Sequence, residues 1–329
     1  MKARELTATI KALTKSKVPT FLWGAPGIGK SSIVKQIAKE EGLGFIDLRL
    51  ALMDPTDLKG IPFYDKDSHS ALWAPPAFLP REGEGILFLD ELNAAPPSVQ
   101  ASAYQLILDR QVGEYKLPDG WAIVAAGNRE GDRGVTYRMP SPLANRFAHF
   151  ELNVDVDEWR LWAFKSNIDE RVISYISYKS EHLFTFDAKS DEKSFATPRS
   201  WEYVNTILKS DLENSLLLNA ISGAIGKEVA VSFLSFIKVM SRLPSIENIL
   251  QTGEGEYPDE VDVLYALSIG LVSGVLKDES RVENLLTYTL ELKGEFSVMI
   301  VQELQRHGIK MEHSEVFKRW VKQFIYLLE

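Results

Sequence analysis

The sequence of 329 residues contains no cysteine. This absence excludes disulfide bonds, iron–sulfur clusters held by thiolates and zinc sites built from cysteine. Histidine is also scarce, and the five histidines lack the paired spacing of metal ligands, so we do not expect a structural zinc site. A chain without disulfides fits a reducing compartment, and we predict a cytoplasmic protein.

Long hydrophobic runs and an excess of positive charge are missing as well. The most apolar stretch, residues 263–276, is too short to span a bilayer. The spacing of Gly270 and Gly274 occurs at dimer faces of membrane helices, but here we interpret it as a buried helix with a close neighbour. The basic segment 1–17 lacks the apolar core of a signal peptide. We therefore expect no membrane partner.

The net charge bears on whether the chain binds nucleic acid. The formal net charge of −9 argues against a general nucleic-acid binder and is compatible with a local basic patch.

Apolar patterning divides the chain into two parts. Strand and helix patterns alternate up to about residue 152, and helical patterns dominate beyond it. Alternation of this kind favours an α/β fold with a parallel, doubly wound sheet that binds ligands at the carboxyl ends of its strands. We predict helices over residues 4–16, 31–41 and 97–109 and strands over residues 18–23, 45–50, 86–89 and 121–126.

A glycine-rich loop follows the first predicted strand. Residues 24–31, GAPGIGKS, fit the P-loop pattern G-x4-G-K-[ST] between a strand and a helix. Such glycines let backbone amides surround phosphates, Lys30 would reach the β- and γ-phosphates, and the Ser31 hydroxyl would bind Mg²⁺. A plain glycine turn is the alternative interpretation. The predicted nucleotide-binding residues are Gly24, Ala25, Pro26, Gly27, Ile28, Gly29, Lys30, Ser31 and Ser32.

Polar residues follow two later strands. Asp90 and Glu91 end the apolar run ILFL, and Asn128 follows the strand WAIVAAG. We predict that Asp90 binds the metal, that Glu91 polarises the attacking water, and that Asn128 reaches the γ-phosphate or that water. Each pattern alone is also common in an ordinary turn, so the prediction depends on both patterns following a P-loop in the same chain.

These motifs together resemble the AAA+ ATPases, and within them the MoxR-like family. Walker A matches residues 24–31, Walker B matches LFLDELN at residues 87–93, and sensor 1 matches Asn128. The resemblance implies an arginine finger at Arg146 in LANRF and a sensor 2 arginine at Arg199 in ATPRSW. We expect the segment that carries Arg146 to lie at the edge of the sheet, away from the P-loop, so that it serves a neighbouring subunit.

The start of the helix at Arg199 can also be read from local residues. Thr197 is a good cap and Pro198 suits the first helical position, which places Arg199 in the first turn. An arginine there opposes the helix dipole, which is tolerable if an anion lies nearby.

The resemblance further implies an organisation and a function. Residues 1–152 would form the nucleotide-binding core, with an insertion at about 54–80 that we predict to be a hairpin. Residues 153–250 would form a helical lid, and residues 251–329 would form a C-terminal helical segment that matches no family element. We expect a ring, with six subunits, that uses Mg²⁺ and ATP to remodel a client protein together with a von Willebrand factor A domain partner.

Two other functions remain open at this point. One is an AAA+ motor that acts on nucleic acid, and the other is a nucleotide-gated scaffold with little turnover. The acidic charge speaks against the first, and Glu91 speaks against the second, because a scaffold needs no acid that polarises water.

Overall fold

A computed structural model describes residues 1–67, 69–129, 131–132 and 136–327. The chain divides into two compact units, the first comprising Met1–Asp155 with Asp187–Ser190, and the second comprising Val156–Phe186 with the chain from Asp191 onward. The predicted insertion includes Ser68 and the predicted C-terminal segment includes residues 328 and 329, which lie outside the described residues.

A five-stranded parallel sheet organises the first unit. Its spatial order is β2-β5-β8-β1-β9, so the strand before the glycine loop lies between β8 and β9. This arrangement confirms the predicted parallel α/β fold. The five strands are β1 (Thr20–Trp23), β2 (Gly44–Arg49), β5 (Gly85–Asp90), β8 (Trp121–Gly127) and β9 (Ala148–Glu151).

Helices cover both faces of this sheet, which explains the continuous apolar runs of its central strands. Strand β8 is buried along its whole length, and β5 is buried up to Asp90. Separate apolar clusters pack on the two faces. The helices of this unit are α1 (Ala3–Lys15), α2 (Lys30–Glu40), α3 (Pro55–Lys59), α4 (Pro97–Asp109) and α5 (Ser141–Ala144).

Two small antiparallel pairs lie outside the main sheet. Strands β3 (Ile61–Asp65) and β4 (Ser70–Ala74) pair as the predicted hairpin within the insertion. Strands β6 (Gln111–Val112) and β7 (Tyr115–Lys116) form the second pair. The first hairpin is largely exposed, since Ile61 and Tyr64 present 71% and 63% of their surface to solvent.

The described part of the second unit is built from helices without strands. An apolar cluster joins residues from Ile249 to Phe324, so it crosses residue 250, where we predict that lid and C-terminal segment meet. That division remains a prediction. The helices are α6 (Val156–Lys165), α7 (Glu170–Tyr178), α8 (Pro198–Leu208), α9 (Asn214–Ile225), α10 (Lys227–Ile237), α11 (Ile246–Thr252), α12 (Val261–Lys277), α13 (Val282–Thr289), α14 (Gly294–Arg306) and α15 (Glu315–Phe324).

The apolar helix α12 is a core helix, as its glycines predict. A Cβ atom added at Gly270 would lie 2.4 Å from the side chain of Ile246, and one at Gly274 would lie 2.2 Å from that of Leu250. Both glycines therefore let α11 pack closely on α12. Among the described residues no single helix could cross a membrane by length and hydropathy, although one bent pair, residues 227–242 with 246–252, meets those two criteria together.

Candidate nucleotide-binding site

The glycine loop is a turn in which several backbone amides have no backbone partner among the described residues. Gly27 and Gly29 have φ angles of 77° and 95°, which curl the chain before α2 begins at Lys30. Successive amides of this kind, together with a helix N-terminus, form an anion-binding concavity. Within the described chain, the amides that donate to no backbone carbonyl include those of Gly27, Ile28, Gly29, Ser31 and Ser32.

Lys30 lies across the inside of this loop. Its Nζ atom donates to the carbonyl oxygens of Gly24 at 2.7 Å and Ala25 at 3.0 Å, and to Oδ1 of Asn128 at 3.1 Å. The ammonium group is therefore held at the carboxyl ends of β1 and β8. A phosphate chain that binds the loop amides would meet this charge.

The predicted acids lie at the end of β5. One oxygen of Asp90 accepts a hydrogen bond from the amide of Glu91 at 2.9 Å, which leaves its other oxygen available. Glu91 itself adopts φ +56°, a left-handed conformation that is costly for a residue other than glycine and is typical of functional turns. Its carboxylate is exposed and has no hydrogen-bond or ion-pair partner in the part of the chain that the structure describes.

Negative charge accumulates at this edge of the sheet. Burial raises the pKa of Asp47 on β2, and the charge of Asp90 adds to the rise. A bound cation would relieve this repulsion. The Ser31 hydroxyl, for which the described residues supply no hydrogen-bond partner, is a hard oxygen donor of the kind that suits Mg²⁺, as is the carboxylate of Asp90. The residues present therefore fit the predicted metal.

A buried residue that we did not predict fixes the position of Asn128. The side chain of Asn93 donates to the carbonyl oxygen of Asn128 at 2.8 Å and accepts from its amide at 3.2 Å. The signal for this contact is weak in the sequence, because Asn93 is a single asparagine beyond the paired acids. Only the fold brings it next to a residue 35 positions away.

Arg146 lies at the opposite end of the strands. It precedes β9, whose first residue pairs with Thr20 at the start of β1, so it lies about 10 Å or more below the glycine loop along the strands. The expectation that this segment lies at a sheet edge is confirmed. The expectation that it lies on the side of the sheet away from the P-loop is wrong, because β9 is the direct neighbour of β1, the strand that leads into the P-loop. Arg146 is separated from the P-loop along the strand direction instead.

Hydrogen bonds near Arg146 hold the backbone of the short helix before it, and the side chain of Arg146 is exposed. Trp23 donates from Nε1 to Nδ1 of His149 at 3.0 Å, and Nε2 of His149 contacts the carbonyl oxygen of Ala144 at 2.7 Å. Since indole is only a donor, the imidazole proton lies on Nε2 and is donated to Ala144. No described residue hydrogen-bonds or ion-pairs with the guanidinium group of Arg146.

Arg199 belongs to the second unit. Thr197 caps α8 by accepting from the amide of Ser200 at 3.1 Å, and Pro198 and Arg199 occupy the first turn as the local sequence predicts. Burial raises the pKa of Glu202, and the charge of Arg199 opposes this rise. Arg199 is exposed, and its guanidinium group has no hydrogen bond or ion pair with the described residues.

One protein-family model matches the part of the chain that carries this site. Residues 20–149, which contain the glycine loop, both acids, Asn93 and Asn128, match the model of the ATPase family associated with various cellular activities (AAA). This part of the chain is therefore similar to an AAA+ ATPase core. The predicted resemblance to MoxR-like ATPases is supported by named relatives as well as by this match.

The matches to these relatives cover between 39% and 50% of the chain. Midasin of Giardia intestinalis is 29% identical over an alignment of 181 residues, and the match covers 50% of this chain and 4% of midasin. Protein MoxR of Methylorubrum extorquens is 26% identical over 39% of this chain and 38% of that protein. Chaperone MoxR1 of Mycobacterium tuberculosis is 26% identical over 49% of this chain and 40% of that protein. The chain thus spans less than half the length of these relatives.

Solved structures of AAA+ proteins are similar at a greater distance. The RuvB Holliday junction branch migration motor of Thermotoga maritima is 21% identical, covers 83% of this chain and 84% of its own, and has a TM-score of 0.39. The fold class follows from the strand order and from the family match.

Proposed function

We propose that the chain binds ATP with Mg²⁺ at the glycine loop and hydrolyses it. The observation that carries this proposal is the run of unpartnered loop amides around the Lys30 ammonium group, beside acids at the end of β5 and an asparagine at the end of β8. Amides and ammonium would bind the phosphates, and the carboxylates would support hydrolysis. The match of residues 20–149 to the AAA family supports the same chemistry.

Each residue has a distinct role in this proposal. Ser31 and Asp90 would hold Mg²⁺, which supplies a positive charge against the developing negative charge of the phosphates. Glu91 would accept a proton from the attacking water, since its exposed carboxylate is already free of protein partners in the described chain. Asn128 would orient that water or the γ-phosphate.

Two arginines would complete the site from outside the P-loop. Arg146 lies too far along the strands from its own loop, and we propose that it serves the nucleotide of an adjacent copy in a head-to-tail ring, with six subunits as the resemblance implies. Arg199 would act as sensor 2 and report nucleotide state to the second unit. Its exposed position in the first turn of α8 supports contact with an anion.

The use of the ATP energy is proposed from the relatives. One of them bears the name Chaperone MoxR1, and we propose a chaperone-like role in which the ring remodels a client protein with a von Willebrand factor A domain partner. The exposed aliphatic and aromatic side chains of the β3–β4 hairpin would contact that client or partner. Replacing residues 64–71 with a short turn should then impair remodelling and leave basal ATP hydrolysis near normal.

The central experiment uses Glu91→Gln, which removes the proposed base and keeps the phosphate-binding loop. We expect this variant to bind ATP like the wild type and to lose about 10²–10⁴-fold in turnover. Tagged Glu91→Gln purified with ATP should retain its protein client, whereas Lys30→Ala should release it. If Glu91→Gln hydrolyses ATP at the wild-type rate, the assignment of Glu91 is wrong.

The same assays test the alternatives. A nucleic-acid motor would be favoured if DNA stimulates ATP turnover and added protein fractions do not. Single-turnover hydrolysis that is barely measurable in the wild type would favour a nucleotide-gated scaffold.

A further inference from the structure

The side chain of Asn93 occupies a place in the sheet that a strand would otherwise fill. Pairing between β5 and β8 ends at Leu89 and Ala125. Beyond that point β8 continues beside β1 on one side only, through Gly127. On the other side, the Asn93 amide makes both hydrogen bonds to the backbone of Asn128, as a neighbouring strand would.

The surroundings of Asn93 are built to fit this contact. Asn93 is only 1% exposed, so its amide has no competing water. A Cβ atom added at Gly127 would lie 2.2 Å from Oδ1 of Asn93, which means that only glycine admits the close approach. The carbonyl oxygen of Asn93 also accepts from the amide of Tyr137 at 2.7 Å, at the start of the segment that leads to Arg146.

Asn93 therefore connects two groups that must act on one water. It lies in the 3₁₀ turn Leu92–Ala94, directly after Glu91 in its left-handed conformation. Its amide holds the backbone of Asn128, whose side chain accepts from Lys30. We infer that Asn93 is a positioning residue that fixes Asn128 relative to Glu91 in ATP hydrolysis. This inference rests on the proposed function.

The variants Asn93→Ala and Asn93→Asp test this role against that of an ordinary buried amide. Gln100 is the matched control, because it is 3% exposed and its one side-chain hydrogen bond among the described residues goes to the carbonyl oxygen of Ala95 at 3.0 Å. We expect Asn93→Ala to lower kcat about 10–100-fold, by analogy with the loss seen when the hydrogen-bond partners that orient metal ligands are removed. KM for ATP should change little, and Gln100→Ala should keep the wild-type kcat.

Two further readouts separate positioning from stability. Gly127→Ala should reproduce the loss of kcat, since its methyl group displaces the Asn93 amide. Asn93→Asp keeps the acceptor and regains the donor only when its carboxyl is protonated, so its turnover relative to wild type should rise as the assay pH is lowered. An Asn93→Ala variant with the kcat of Gln100→Ala would show that Asn93 only fills the core.

Hydrogen exchange makes the inference testable apart from turnover. The amide of Asn128 should exchange faster in Asn93→Ala than in wild type or Gln100→Ala, because its acceptor is gone. Wild-type protein without turnover would overturn the proposed function, and the exchange rate would still decide whether Asn93 holds Asn128. Unchanged exchange at Asn128 would overturn the inference while hydrolysis stands.

Discussion

The two units place comparable carboxylates in opposite surroundings. In the first unit, Glu91 is exposed and no described residue pairs with its carboxylate. In the second unit, Glu303 is 2% exposed, and its Oε2 atom accepts from Nε and Nη2 of Arg160 at 2.9 and 2.8 Å. The comparison teaches that a charge satisfied by its own chain serves the fold, whereas one kept free beside an anion site serves a ligand.

The pair in the second unit belongs to a wider network. Asp157 accepts from Arg160 and from Arg306, and His307 lies 3.5 Å from the other oxygen of Glu303. Burial alone would raise the pKa of Glu303, but the neighbouring His307 and the charge of Arg160 outweigh it and hold this pKa below its ordinary value. The pair at the centre of this network, Glu303 and Arg160, is buried, so we interpret the network as structural.

The largest expected effect on ATP binding comes from removing the charge inside the glycine loop. Lys30→Ala should weaken ATP binding by about 100-fold or more, because it deletes the charge-assisted hydrogen bonds to the phosphates. Titration with a fluorescent ATP analogue measures this loss. Lys35→Ala, on the exposed face of the same helix, is the control and should bind normally. Equal affinity of the two variants would contradict the assignment of the loop.

Arg146→Ala tests whether an unpartnered charge can serve a neighbouring subunit. It should bind ATP normally and lose about 10³-fold or more in turnover, the range known for arginine fingers. The total rate of ATP hydrolysis by the wild type should rise faster than linearly with protein concentration, because the finger comes from another copy. A steady-state ATPase assay over a dilution series measures the loss of turnover and the dependence on protein concentration.

Mixing variants gives the sharper form of this test. Lys30→Ala keeps its finger and Arg146→Ala keeps its nucleotide, so mixed oligomers should recover part of the activity. Mixed oligomers that form and remain inactive would show that Arg146 is a structural residue.

Substitutions in the charged network of the second unit should change the free energy of unfolding and leave ATP hydrolysis unchanged. Arg160→Leu leaves Glu303 buried without its main partner, and we expect a loss of about 3–5 kcal/mol in the free energy of unfolding. Arg306→Ala removes a more exposed pairing and should cost about 1 kcal/mol or less. Urea unfolding followed by circular dichroism measures both. A similar cost for the two variants would contradict the structural interpretation.

Local patterns in the sequence predict much of this molecule. The helix from Pro97 to Asp109 has the predicted bounds, and the cap at Thr197 is the predicted one, because each depends on residues within one turn. The glycine loop is equally local. The strand β9 was not predicted, since its four residues are only partly buried and carry no apolar run.

Contacts between distant residues could not be predicted in the same way. The hydrogen bonds of Asn93 with Asn128 and of Arg160 with Glu303 join positions 35 and 143 residues apart. Composition and spacing do not encode such pairs, because the strand order and helix packing that create them are decided by the whole fold. For the same reason, the pairing of β9 with β1 reversed our expectation of where Arg146 lies across the sheet.

The smallest expected effect is a change with pH in the stability that the Glu303 carboxylate contributes. The pKa of Glu303 lies below its ordinary value of 4.5 in the folded state, so the unfolded chain takes up this proton first as the pH falls. The stability that Glu303 contributes is therefore present above 4.5 and is lost as the pH falls through the folded pKa. Protonated Glu303 resembles glutamine. The difference in unfolding free energy between wild type and Glu303→Gln should thus be largest near neutral pH and should narrow below 4.5.

The control for this pH dependence is an exposed carboxylate with a lowered pKa. The hydrogen bond from Lys318 lowers the pKa of Glu315, but solvent screens that pair, so Glu315→Gln should change stability little at any pH. Urea unfolding at a series of pH values gives both differences, and carboxylates that titrate alike in wild type and variant cancel from each. A difference for Glu303→Gln that stays constant through the acid range would mean that the carboxylate of Glu303 is not held charged by Arg160, and the contrast with Glu91 would then lose its physical basis.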